Sequence, residues 1–143
     1  MNQEVTILIT EDDEGHAMLI QKNLRRSGIS NLFKHFRDGQ EVLDFLFGRS
    51  EDHAQEHGSY LMLLDIRMPR IDGIEVLRQI KSDEKLRSIP VIMITTTDDP
   101  KEINQCHQLG CNNYITKPVD YNRFIEAIRQ LGLFFSIVEI PSK

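Results

Sequence analysis

Six side chains stand where short apolar runs stop, and their types complement one another. Glu11 and Asp12 follow Val5 to Thr10. Asp65 follows Tyr60 to Leu64. Thr95 and Thr96 follow Val91 to Ile94, and Lys117 follows Asn113 to Thr116. Carboxylates brought together repel one another unless a cation sits between them. Ligands that are all oxygen suit Mg²⁺, which keeps several waters and accepts phosphate oxygens. A carboxylate can also act as a nucleophile and form an acyl phosphate. A lysine ammonium and a threonine hydroxyl can then hold the phosphoryl oxygens. One acid at the end of a strand means little, because acids often cap and solvate such ends. Complementary groups at four such ends point to Mg²⁺-dependent phosphoryl chemistry.

The elements that must position these groups alternate in type. Val5 to Thr10 reads as a strand, and Glu14 to Ser27 as a helix with Ala17, Ile20 and Leu24 on one side and Gly28 as its stop. Leu32 to Phe36 reads as a second strand. Asp38-Gly39 marks a turn, and Val42, Leu43, Phe45 and Leu46 form a helical stripe. Residues 48–59 are polar and loop-like. Tyr60 to Leu64 is apolar throughout, as a strand covered on both faces should be. Ile74, Val76, Leu77 and Ile80 mark a third helix, and Val91 to Ile94 a fourth strand. Pro100 suits the first turn of a helix running to Leu109, which Gly110 stops. Asn113 to Thr116 is a fifth strand. Asp120 can cap a last helix with Tyr121, Phe124, Ile125, Ile128 and Leu131 on its face. Strands alternating with helices imply right-handed crossovers and a parallel sheet with helices on both faces. In such sheets ligands bind outside the carboxyl ends of the strands, where the six side chains stand.

Four motifs carry a resemblance to a known family. They are Ile7-Leu8-Ile9-Thr10-Glu11-Asp12, Leu64-Asp65-Ile66-Arg67-Met68-Pro69-Arg70-Ile71-Asp72-Gly73, Ile94-Thr95-Thr96 and Tyr114-Ile115-Thr116-Lys117-Pro118. Together they resemble the receiver domain of two-component response regulators, from about Val5 to Leu131. The resemblance implies a flavodoxin-like α/β fold: a five-stranded parallel sheet in the order 2-1-3-4-5, with five helices. It implies a receiver domain over 1–131, followed by an apolar extension over 132–143 that packs on the domain or at a dimer interface.

By the same resemblance Asp65 is the phosphoacceptor. Glu11 and Asp12 hold Mg²⁺, with Mn²⁺ as an alternative, together with Asp65 and the backbone carbonyl of Arg67. Lys117 pairs with the phosphoryl oxygens. Thr95 follows the phosphoryl group when the switch fires, and Tyr114 is the aromatic residue that turns inward with it. Pro118 matches a proline commonly preceded by a cis bond. Glu11 stands where many relatives have Asp, and Thr96 where a smaller residue is common. Arg67 and Thr97 lie at positions that tune dephosphorylation in relatives. The residues around 48–59 and the apolar end resemble stand-alone receivers that partner phytochrome-type histidine kinases. This implies a histidine kinase partner, a bacteriophytochrome among the options, and a homodimer through the last helix and its extension. A protein contact or onward phosphotransfer is then the expected output, not a DNA-binding domain. Such a chain assists its own phosphorylation and dephosphorylation but is not an enzyme on a separate substrate.

Composition agrees. The 143 residues are 40% hydrophobic and 27% charged, with a net charge of −5, the profile of a globular protein with an ordinary core. The acidic balance argues against nucleic acid as a partner. No leader or membrane span is legible, and a cytoplasmic location is expected. Cys106 and Cys111 fit no common zinc spacing and read as reduced thiols. His53 and His57 could mark a metal site on a helical turn, but without a supporting ligand cluster they read as a solvated loop. His16 follows the acidic cluster in the first helix, within range of the site, but reads as a surface helix position without a catalytic role; the lesser alternative for Tyr114 is a core packing aromatic. Leu133, Phe134, Phe135, Ile137, Val138 and Ile140 are too many apolar groups to leave in water.

Three competing functions remain in view. A phosphatase using Asp65 as nucleophile would want a second acid where Arg67 stands. A flavin-binding module would want a Ser/Thr/Gly-rich phosphate loop where Glu11-Asp12-Asp13 stands. A degenerate scaffold would lack some of the matched site residues.

Overall fold

The computed structural model describes residue 1 and residues 4–55, 58–118 and 120–135. The chain alternates β1 (Val5–Thr10), α1 (Glu14–Arg26), β2 (Phe33–Phe36), α2 (Gly39–Leu46), β3 (Ser59–Leu64), α3 (Gly73–Ser82), β4 (Val91–Thr95), α4 (Pro100–Leu109), β5 (Asn113–Thr116) and α5 (Tyr121–Phe135). All strand pairs are parallel, and the five-stranded sheet has the order β2-β1-β3-β4-β5. This is the expected flavodoxin-like arrangement.

Period-2 alternation sorts each strand's side chains between two cores. Ile7 and Ile9, Leu61 and Leu63, and Ile92 and Ile94 face Ala17, Ile20 and Leu24 of α1 and Phe124, Ile128 and Phe135 of α5. Leu8, Met62, Leu64, Val91 and Met93 face the opposite cluster, built by α2, α3 and α4. Each fully buried aliphatic side chain of this kind contributes roughly 1.5–3 kcal/mol. Such cores hold the strands in register, so the strand ends lie side by side.

Aspartates start the helices. Asp13, Asp38, Asp72 and Asp99 are N-caps whose carboxylates accept backbone N–H groups of the first turn. Asp120 accepts from the Arg123 N–H in the same way, as expected. Asp13 is therefore committed to α1, which separates it from its two acidic neighbours. Gly110 ends α4 in the left-handed conformation, φ 101°, that its lack of a side chain permits.

Some boundaries differ from the expectation. β2 begins at Phe33, and Leu32 is exposed, although its carbonyl still accepts the Ile7 N–H at 2.9 Å. Helix α5 does not stop at Leu131 but runs on to Phe135, because Gly132 and Phe135 still face the core. The rest of the apolar extension lies outside the described residues, as do Glu56 and His57. No helix among the described residues is long and apolar enough to cross a membrane.

Among the described residues, one buried polar side-chain atom has no partner. Thr10 is buried at 1% exposure, and its Oγ1 makes no hydrogen bond. Thr10→Val keeps the shape and removes an unsatisfied hydroxyl, so stability should rise by about 1 kcal/mol. Urea unfolding of the two proteins checks this, and a loss of stability would show that the hydroxyl has an unseen partner.

Candidate functional site

The carboxyl ends of β1, β3, β4 and β5 bring the six side chains into one neighbourhood. Carboxylate oxygens of Glu11, Asp12 and Asp65 lie within 4.8 Å of one another. Glu11 and Asp65 are buried, while Asp12 is exposed. Parallel pairing places Thr10 beside Leu64, so the residues after both strands start level. Asp65 is then pinned by its own turn: Oδ1 accepts the Ile66 N–H at 2.7 Å. The Gly73 N–H donates to the Ile66 carbonyl at 2.8 Å and brings the start of α3 against the same residue.

Lys117 completes the group from the far end of the chain. The Lys117 N–H donates to the Thr95 carbonyl at 2.7 Å, which continues the β4–β5 ladder past the strand end. Its side chain is 4% exposed, and Nζ donates to Glu11 Oε2 at 2.8 Å and to Asp65 Oδ2 at 3.4 Å. Burial, and next the neighbouring Asp65, push the Glu11 carboxyl up to about 8, while Lys117 pulls it down. Crowded acids with one ammonium between them are short of positive charge. Hard oxygen donors in that state fit a divalent cation such as Mg²⁺. Soft metals would want sulfur, and Cys106 and Cys111 sit elsewhere, buried in or beside α4.

The remaining expected residues flank this centre. Thr95 is fully buried, and its Oγ1 accepts the Thr97 N–H at 3.4 Å. Tyr114 is half-buried, and its hydroxyl donates to the Thr97 carbonyl at 2.6 Å. Burial pushes its phenol up to about 12. Thr95 and Tyr114 thus hold the same turn from two sides. The Arg67 guanidinium pairs with Glu102 of α4 at 2.8 Å rather than with any of the three acids. Arg70 adopts a left-handed backbone, φ 68°, steadied by a two-pronged pair with Asp38 at 3.0 and 2.9 Å.

One expectation changes. The Lys117–Pro118 bond is trans, since no cis peptide bond occurs among the described residues. Trans is the lower-energy form by roughly 0.5–1 kcal/mol even before proline. His16 lies near the site, as its place after the acidic cluster allows. It is partly exposed, but its Nδ1 lies 3.2 Å from Lys117 Nζ and 3.6 Å from Glu11 Oε1. Helical periodicity could place His16 near the acids, but nothing local announces a lysine 101 residues away. His16, Thr96, Lys117 and Pro118 share a cavity of about 260 Å³ beside the acids.

Comparison with known proteins gives a consistent result. The model of the response regulator receiver domain matches residues 7–129. A receiver domain from Rhodospirillum rubrum is 47% identical with a TM-score of 0.91, the alignment covering 96% of this chain and 98% of that one. The phosphorylated cyanobacterial phytochrome response regulator RcpA is 32% identical with a TM-score of 0.88 over 96% of this chain and 98% of its own. The Mn²⁺-bound response regulator Rcp1 is 30% identical with a TM-score of 0.87 over 95% and 98%. With that match across most of its length, and with the acids, the lysine and the five-stranded parallel sheet in the same chain, this protein belongs to the response regulator receiver domain family.

Proposed function

We propose that this receiver takes a phosphoryl group from the phosphohistidine of a histidine kinase onto Asp65, and that the modified aspartate switches its contacts with other proteins. The observation that carries this reading is the buried Lys117 ammonium held between Glu11 and Asp65. Asp65 Oδ2 attacks phosphorus, the bond from phosphorus to the imidazole nitrogen breaks, and the kinase histidine leaves with that electron pair. The Lys117 ammonium sits where charge on the transferred oxygens must be balanced. Glu11, Asp12 and Asp65, with the Arg67 backbone carbonyl, would hold Mg²⁺. Bound there, the ion would neutralise phosphoryl charge and let the acids stay ionised together. Thr95 and Tyr114, joined through the turn at Thr97, would then bias a second arrangement of that turn.

The likeness to phytochrome response regulators supports a bacteriophytochrome-type kinase as the partner. Leu133 and Phe134 are exposed at the end of α5, which supports a homodimer through that helix. Leu133→Glu with Phe134→Glu should leave the fold intact and yield a monomer by sedimentation. A full-length chain that is already monomeric at high concentration would end the dimer reading.

The central test is intact mass after incubation with acetyl phosphate and Mg²⁺. The wild type should gain one phosphoryl group and Asp65→Asn none. Gain by both proteins would put the acceptor elsewhere. The metal requirement has its own test in thermal melting. Mg²⁺ at about a hundred times its Kd should stabilise the fold by about 2.7 kcal/mol, and Asp12→Asn should lose most of that gain. An equal response from Asp12→Asn would remove Asp12 from the metal site.

A further inference from the structure

The Lys117 ammonium has three N–H groups and no lone pair, and it meets three acceptors. They are Glu11 Oε2 at 2.8 Å, His16 Nδ1 at 3.2 Å and Asp65 Oδ2 at 3.4 Å. Since the ammonium can only donate, Nδ1 can serve this contact only as the acceptor, which requires the tautomer with the ring proton on Nε2. The longest of the three contacts is the one to the reacting carboxylate, where a phosphoryl oxygen would arrive. The other two therefore aim the ammonium.

Those two anchors are not equivalent. Glu11 is also one of the acids that would hold the metal, so its oxygens face two claims. His16 is not one of the metal-holding groups, and Lys117 Nζ is nearer to its Nδ1, at 3.2 Å, than Glu11 Oε1 at 3.6 Å or Asp13 Oδ2 at 3.8 Å. Its ring is also placed by the α1 cap and by packing against α5. The His16 N–H donates to Asp13 Oδ1 at 3.1 Å in the first turn of α1. Its ring lies 6.1 Å from that of Phe124 on α5, tilted by 45°. Side chains from α1 and α5 thus fix an acceptor beside the lysine that follows β5.

We propose that His16 is a positioning residue for Lys117. Its Nδ1 holds one N–H of the ammonium from the α1 side, so that another stays directed at Asp65. The role rests on Asp65 being the phosphoacceptor. A pre-aimed donor costs no reorganisation at the moment of transfer, whereas a lysine freed on one side must be re-oriented each time.

His16→Leu keeps the bulk against Phe124 and removes the acceptor. His16→Asn puts an amide oxygen at the same number of bonds from the backbone as Nδ1. With acetyl phosphate and Mg²⁺, His16→Leu should accept the phosphoryl group about fivefold more slowly, the size of one ordinary hydrogen bond. His16→Asn should recover most of the rate, and thermal melting should show both variants folded. A wild-type rate in His16→Leu, or equal slowing in both variants, would overturn the proposal, the second outcome marking a packing role only. Nitrogen NMR of the His16 ring provides a readout that needs no phosphorylation. The wild type should show Nδ1 as a hydrogen-bonded acceptor, and Lys117→Met should shift that signal. An unchanged signal would mean that no such bond exists. If wild type takes up no phosphoryl group while the NMR bond is present, the reading of Asp65 fails and the positioning role falls with it. If wild type is phosphorylated and the bond is absent, only the His16 proposal fails.

Discussion

Replacing Lys117 with methionine is expected to slow phosphoryl acceptance from acetyl phosphate by about two to three orders of magnitude while leaving the protein folded. Methionine matches the lysine stem in length and fits a site only 4% exposed, but it donates nothing. The transferred oxygens would lose the one ammonium placed beside Asp65. Stability should fall as well, because Glu11 and Asp65 remain buried without their shared cation. Removing one partner of a buried ion pair commonly costs about 3–5 kcal/mol. The cost here should be smaller at neutral pH, since Glu11 can take up a proton instead.

The direction with pH follows from that proton. Burial raises the Glu11 carboxyl from 4.5 to about 8, so the native state holds the proton more tightly than the unfolded chain does. A raised acid of this kind favours the fold fully below its unfolded value, and the benefit is lost as pH rises through the native value. Lys117 lowers that value, so its removal raises the carboxyl further. The stability deficit of Lys117→Met should therefore be largest above about pH 8 and shrink as pH falls toward 5. Urea unfolding across that range measures it. A deficit independent of pH would show that lost packing, not charge, dominates. Acetyl phosphate kinetics near the wild-type rate would remove Lys117 from the transfer itself.

Gly73→Ala is expected to cost about 3 kcal/mol or more and to disable the site together with the fold. A Cβ at Gly73 would stand 2.0 Å from the Asp65 carbonyl oxygen and 2.8 Å from the Ile66 Cα. Both are backbone atoms of the peptide that carries the nucleophile, so no side-chain rotation can relieve the clash. Either α3 withdraws and loses the Gly73 to Ile66 hydrogen bond, or Asp65 shifts away from Glu11 and Lys117. Gly15→Ala is the control. Its Cβ would meet only the Asp13 carboxylate, at 3.1 Å, on an exposed turn of α1. There alanine's helix propensity, worth up to about 1 kcal/mol, is set against a small displacement of the capping Asp13 Oδ1, so the net change should stay within about 1 kcal/mol. Denaturant midpoints for the two variants, read with the initial rate of phosphorylation, check both. A loss below about 1 kcal/mol at Gly73 would mean that the β3–α3 junction yields more easily than its geometry indicates.

Much of this protein is legible in its linear order. Apolar runs of strand length alternate with helical stripes, and such alternation leaves few sheet topologies open. The acids, threonines and lysine stand at the ends of those runs. A parallel sheet puts all such ends on one edge, so their convergence is implied before any coordinates are known. Asp65, Glu11, Asp12 and Lys117 all stand at such ends, and the geometry brings their side chains together.

The boundaries were less legible, because they depend on contacts between distant residues. Leu32 is apolar and sits beside a strand, yet the core has no place for it. Helix α5 continues past Leu131 because Gly132 and Phe135 still meet the core. Gly132 is needed there, as a Cβ would approach Ser27 Cβ of the α1 end at 2.5 Å.

The order of elements, the residues at the strand ends and the chemistry those residue types allow follow from the amino-acid sequence, because periodicity and side-chain type are local properties. Three-dimensional packing settles which acceptors surround the Lys117 ammonium and that the His16 ring reaches it. Each of these depends on the angle and distance between elements far apart in the chain. Those are set by how two cores pack on one sheet, which no single segment encodes.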